Sequence, residues 1–158
     1  MRWLLVSVVL AALCGGAAAQ DTADPADISA IEACLSGQRD QGLAGYDCIG
    51  TVSEPCLQTE EGQTTEGSVR CLYRGVSAWD ALLNTSYRDA RTNFPVKLAD
   101  KLREAQKAWI DFRDARCALE EEMYEGGSLA RVAYLSCFQR ETAIRAIDVI
   151  MVAEDSKR

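Results

Sequence analysis

The chain has 158 residues, seven cysteines, no histidine and a formal net charge of −7. That charge excludes the basic face that nucleic acid or an anionic membrane surface needs, and suits solubility or a cationic partner. Without histidine there is no His-based acid–base catalysis, no Ser–His or Cys–His nucleophilic pair and no His-ligated metal.

The first element is an export leader over residues 1–19. Arg2 precedes an apolar run from Trp3 to Cys14, and Ala17-Ala18-Ala19 suits signal peptidase cleavage before Gln20. The run is too short to span a bilayer comfortably, although a signal anchor is the alternative. Cys14 has Leu13 just before it and Ala11 three before it, the reverse of the order that lipidation wants. Residues 20–158 are then the mature chain, expected to fold as one domain with no membrane span, in the periplasm or secreted.

Gln20 to Ala26 is polar. Residues 27–35 carry apolar side chains at helical spacing, with Asp27 as the candidate cap, and Ser36 to Gly42 reads as a turn. A shorter helix is expected over Tyr46–Leu57, weakened by Gly50 and Pro55. Thr65 can cap a long helix from Glu66 to Arg91, whose apolar face is Val69, Leu72, Val76, Trp79, Leu82, Leu83 and Tyr87. Pro95 breaks the pattern and opens the next helix, Val96–Tyr124. Its stripe is Leu98, Leu102, Ala105, Trp109, Phe112 and Leu119, interrupted by Arg116. Gly126-Gly127 ends that helix. Ser128 caps a last one to Val152, with Val132, Leu135, Phe138, Ile144, Ile147 and Met151 apolar. No segment reads as a strand. The expected fold is all-α: a small antiparallel bundle of four to five helices.

Six cysteines follow the leader, and an even count in an exported chain reads as three disulfides. Antiparallel helices joined by a turn face each other where residue numbers sum to a constant. Cys34 and Cys48 are symmetric about Gln41, Cys56 and Cys71 about the Gln63–Thr64 bond, and Cys117 and Cys137 about Gly127. Each centre falls on a turn or loop assigned without the cysteines. The expected bridges are therefore Cys34–Cys48, Cys56–Cys71 and Cys117–Cys137. No C-x-x-C and no calcium-loop pattern occurs, so neither a metal nor a cofactor is expected.

On the fourth helix, Gln106, Trp109 or Ile110, Arg113 and Cys117 share one side. If Cys117 bridges to the last helix, that side faces the interior. A buried Arg113 then needs acceptors, and Asp80 or Asn84 on the preceding helix are the candidates. Gln106 can bond the same helix. A binding role for Arg113 is the alternative to this structural one.

Residues 79–87, WDALLNTSY, then 105–117, AQKAWIDFRDARC, then 126–128, GGS, and Tyr134-Leu135-Ser136-Cys137 resemble the LprI-like lysozyme inhibitor domain family. The match covers roughly Cys56 to Val152. The resemblance implies a helical, disulfide-stapled bacterial envelope protein, with Asn84, Tyr87, Gln106, Trp109, Arg113 and Asp114 as its motif residues. The activity that names the family is inhibition of lysozyme. The region before Cys56 looks extra, with its own cysteine pair, and leaves room for a different partner.

Many lysozymes are strongly cationic, and an acidic binder is steered toward them. The best acidic patch is Glu120-Glu121-Glu122 with Tyr124 and Glu125, at a helix C-terminus where the dipole disfavours anions. A solvated charged tip is the plain alternative. The loop Gln58-Thr59-Glu60-Glu61 is a weaker acidic element. An enzyme is not expected: Asp111, Asp114 and Glu120 to Glu122 better suit ion pairs such as Lys107–Asp111 and Arg116–Glu120 than a carboxylate pair for glycoside hydrolysis. The expected function is an exported binding protein whose protein partner is a cationic lysozyme. The alternative is a structural or stress-related envelope protein with another partner and no lysozyme inhibition.

Overall fold

The computed structural model describes residues 23–158; the leader expected over 1–19 lies outside them. Five α-helices form in order: α1 (Pro25–Asp40), α2 (Ser53–Leu57), α3 (Thr65–Asn93), α4 (Val96–Glu122) and α5 (Ala130–Asp155). No strand occurs among the described residues. This is the all-α, disulfide-stapled architecture expected.

The helix starts follow local hydrogen bonding. Asp24, not Asp27, caps α1: its side chain accepts from the Ala26 amide at 2.9 Å, and Pro25 takes the first helical position. The helix then runs through the expected turn at 36–42 to Asp40, and the chain reverses at Gly42, whose φ is +73°. The expected helix over 46–57 splits into a 3-10 turn, Tyr46–Cys48, and the short α2. The Thr64 hydroxyl accepts from the Gly67 amide at 3.0 Å, so the cap of α3 lies one residue before the expected Thr65. Ser128 is not a cap; Leu129 occupies that position without a side-chain bond.

Asp27 instead sits in the first turn of α1, 5% exposed, and takes a bidentate pair from Arg74 of α3 at 2.5 and 2.6 Å. The Asp27 hydrogen bond holds the Arg74 guanidinium pKa above its usual value, against the opposing effect of burial. Asp27→Ala is expected to lower stability by about 2 kcal/mol, the scale of a charge-assisted bond. Urea unfolding monitored by circular dichroism checks it, with Asp24→Ala as the comparison for a lost cap.

α5 is the central helix. It packs most extensively on α3, next on α4, while α3 and α4 meet little. The core gathers Ile31 and Leu35 of α1, Trp79, Leu82 and Leu83 of α3, and Ala143, Ala146, Ile147 and Val149 of α5. Small residues on α5 let α3 approach closely. At Gly75 a Cβ would fall 2.4 Å from Oε1 of Gln139, so any larger residue would have to displace that amide and its bonds to Ile49 O and Ser53 Oγ. Met151, expected in the core, is 45% exposed because Ala146, Val149 and Ala153 take the face toward α3.

The segment before Cys56 packs Ile31, Leu35, Cys48 and Val52 into this core and is bonded to it at Ile49 and Ser53. Ile49 O accepts from Trp79 Nε1 at 3.1 Å and from Gln139 Nε2 at 3.0 Å. Gln139 also donates to Ser53 Oγ at 2.8 Å. Three disulfides close the frame: Cys34–Cys48, Cys56–Cys71 and Cys117–Cys137, with Cα separations of 5.8, 5.6 and 5.4 Å. They are the pairs that hairpin symmetry gives.

The stripe of α4 is the main departure. Its apolar residues Leu98, Phe112 and Leu119 are 49%, 53% and 64% exposed, while the side of Gln106, Arg113 and Cys117 turns inward, as expected once Cys117 bridges to the last helix. The buried residues of α4 are Ala99 and Cys117.

Candidate functional site in the α4–α5 hairpin

The two long helices of the hairpin are fastened by cations lying on aromatic rings. The Arg113 side chain is 11% exposed. Its guanidinium lies 3.8 Å from the Phe138 ring of α5 and 4.8 Å from the Trp109 ring of its own helix. Phe138 stacks on Tyr134 at 5.6 Å. Asp114 accepts from Arg113 at 2.8 Å, so the Arg-Asp pair neutralises itself. Neither Asp80 nor Asn84 reaches Arg113; those two bond each other along α3 at 2.7 Å. The correction has a physical reason: α4 is held away from α3, and guanidinium on aromatic faces replaces the missing acceptors.

Gln106 likewise turns to α5 and not to α3, accepting from Arg145 Nε at 2.9 Å. Arg145 lies 6.0 Å from the Trp109 ring, and burial lowers its pKa while Asp148 opposes the shift. Tyr87 packs on the core, with Arg91 at 5.8 Å over its ring. The motif residues therefore divide. Gln106, Trp109, Arg113 and Asp114 serve the α4–α5 seam, while Asn84 and Tyr87 stay on α3.

Below the tip lies an ion network around the third disulfide. Glu120 meets Arg140 at 2.6 Å and Arg116 at 3.8 Å. Glu141, only 8% exposed, meets Arg116 at 3.1 Å and Arg140 at 3.6 Å. Two arginines and two glutamates cancel, and the two arginines supply the partners that the buried Glu141 carboxylate requires. Sequence reasoning missed Arg140, Glu141 and Arg145. Spacing gave no signal for them: Glu120 stands one turn toward the tip and Arg140 one turn away from it, and the length of the arginine side chain brings the charges together. The Lys107–Asp111 pair expected nearby does not form within 4.0 Å.

At the tip the charges are open. Among the described residues no cation lies within 4.0 Å of Glu121, Glu122 or Glu125. Glu125 (φ 49°) and Gly126 (φ 72°) turn the chain in the left-handed region. Tyr124 is 48% and Met123 72% exposed. These residues flank a hollow of about 310 Å³ lined by Glu120, Met123, Tyr124, Ala133 and Ser136. Of the acidic run and its tyrosine, only Glu120 and Tyr124 line this hollow; Glu121, Glu122 and Glu125 are exposed and lie outside its lining. The second acidic element is used structurally: Glu61 pairs with Arg70, and the Thr59 hydroxyl bonds its own turn. No group of three His, Cys, Asp or Glu among the described residues is placed to hold a metal. No helix among them is long and apolar enough to cross a membrane.

Fold and site together define a disulfide-stapled helical domain with an acidic hairpin tip. The family model described as lysozyme inhibitor LprI matches residues 56–148, and the chain belongs to that family. The match spans α3, α4 and most of α5 and begins at the second disulfide. No curated protein and no solved structure matches the chain.

Proposed function

We propose that the protein is exported to the bacterial periplasm or beyond after loss of residues 1–19, and that residues 20–158 act as one domain that binds and inhibits a cationic lysozyme. Family membership supports the class of partner. Three disulfides suit an oxidising compartment. The observation that carries the site is the unpaired acidic tip: Glu121, Glu122 and Glu125 around Tyr124, above a network whose charges already cancel. Such a tip offers its charge outward. The negative net charge of residues 20–158 steers encounter, and the carboxylates and Tyr124 give the local contact. Inhibition on this reading is occlusion of a polysaccharide cleft, with no bond made or broken by the inhibitor.

Titration of the oxidised protein into a lysozyme activity assay tests the function. Saturable inhibition that weakens from low to physiological salt is expected, because exposed charges are screened beyond roughly 10 Å at 0.1 M. The triple variant Glu121→Gln, Glu122→Gln, Glu125→Gln should raise the inhibition constant roughly tenfold and flatten the salt dependence. Full inhibition by that variant would remove the tip from the proposal. No inhibition of animal-type or bacterial-type lysozymes would favour an envelope protein with another partner.

A further inference from the structure

Along α4, one face carries Leu98, Ala105, Phe112 and Leu119 at intervals of seven, and Leu102, Trp109 and Met123 at the matching positions four further on. Alternating spacings of four and three form the seam of a helix that packs along another helix. In this fold Trp109 packs in part on the core and Leu102 is half-buried, but the outer side of the seam has no partner. Phe112 is 53%, Leu119 64% and Met123 72% exposed, and Ala105 is exposed as well. The helix runs for 27 residues, about 40 Å, so the face is an extended strip and not a scatter of single side chains.

The charges along the strip say what lies on it. Around α4 and the turn after it, residues 96–109 hold Lys97, Lys101, Arg103 and Lys107 against Asp100 and Glu104, whereas residues 110–125 hold Asp111, Asp114, Glu120, Glu121, Glu122 and Glu125 against Arg113 and Arg116. A helix of this polarity complements an antiparallel copy of itself. A parallel copy would set Glu122 against Glu122. We propose that this face of α4 is a two-fold interface between two copies of the chain, with their α4 helices antiparallel.

The register follows from the seam. Leu98 meets Met123 of the second copy, Leu102 meets Leu119, and Trp109 meets Phe112. Arg116, the one polar seam residue, is already satisfied by Glu141 and Glu120 of its own chain and falls opposite the small Ala105. On the open flank Lys101 faces Glu122 of the other copy, and Ala108 faces Ala115. Those alanines let the backbones approach closely. Each pairing occurs twice, once on either side of the two-fold axis.

Sedimentation of the full oxidised protein over a range of concentrations tests this. The wild type is expected to dimerise reversibly. Phe112→Asp should raise the dimer dissociation constant at least ~30-fold, as for loss of a central interface anchor, with an unchanged circular dichroism spectrum because Phe112 is half exposed. Lys101→Glu and Glu122→Lys should each weaken the dimer, and the two together should restore it. Lys101 also pairs with Glu104 in its own helix at 2.7 Å, so rescue is the decisive result. A wild type that stays monomeric, or a dimer indifferent to Phe112→Asp, overturns the interface; a double swap that fails to rescue overturns the antiparallel register. The interface takes in Glu122 and Met123 beside the tip, so Phe112→Asp, which lies outside the tip, is the variant that separates the two readings: it should abolish the dimer while lysozyme inhibition persists.

Discussion

Trp79→Ala should cost about 3–5 kcal/mol, the range for removing a large aromatic side chain from a packed core. Trp79 is fully buried at the centre of the α1–α3–α5 core. Its indole also donates to Ile49 O, so the substitution opens a cavity and loosens the segment before Cys56 in one step. Gln139 still reaches the same carbonyl, which therefore keeps one donor. The cavity should dominate, and Trp79→Phe should be much milder than Trp79→Ala. Domains of this size have total stabilities of about 5–15 kcal/mol, so the alanine variant should lose a large share. Chemical denaturation of both variants in the oxidised state, with the three disulfides confirmed by mass, checks the ordering. Equal losses would mean that the hydrogen bond, not the volume, governs this site.

The same tryptophan shows what was legible in the sequence. Periodicity identified the buried face of α3 because Val69, Leu72, Val76, Trp79, Leu82 and Leu83 have only one side on which to gather. On α4 two faces competed: a strongly apolar one through Leu98, Phe112 and Leu119, and a mixed one through Gln106, Arg113 and Cys117. Periodicity favours the first, the expected bridge from Cys117 favours the second, and the structure buries the second. A covalent bridge to Cys137 fixes which side of α4 meets α5, whereas hydrophobicity alone does not say which partner an apolar face will find. The disulfide pairs were legible because hairpin symmetry is geometric. The partners of Arg113 were not, because an arginine can be satisfied by Trp109 and Phe138 as well as by the carboxylates that a residue inventory suggests. At the tip, sequence marked the acidic run as a whole. Only the fold separates Glu120, tied to Arg140 and Arg116, from Glu121, Glu122 and Glu125.

That separation leads to the second large effect. Cys117→Ala with Cys137→Ala should cost about 3 kcal/mol of stability, as should Cys34→Ala with Cys48→Ala, because the two loops closed, with sequence separations of 20 and 14, differ little in chain entropy. Their functional consequences should differ. The third bridge sits inside the Glu120–Arg140–Glu141–Arg116 network, directly below the tip, and both of its cysteines are fully buried. Without it the end of α4 can slide and fray, the network loses its spacing, and Glu121, Glu122 and Tyr124 no longer hold one geometry. The first bridge clamps α1 to the 3-10 turn at Cys48 and touches none of these groups. Lysozyme inhibition, measured where both variants remain folded by circular dichroism, should fall at least roughly tenfold for the third-bridge variant and stay near wild type for the first, as preorganised contact surfaces require. Equal inhibition by the two variants would mean that binding does not depend on a rigid tip. Loss confined to the first-bridge variant would move the binding surface to the segment before Cys56, outside the part of the chain that the family match covers.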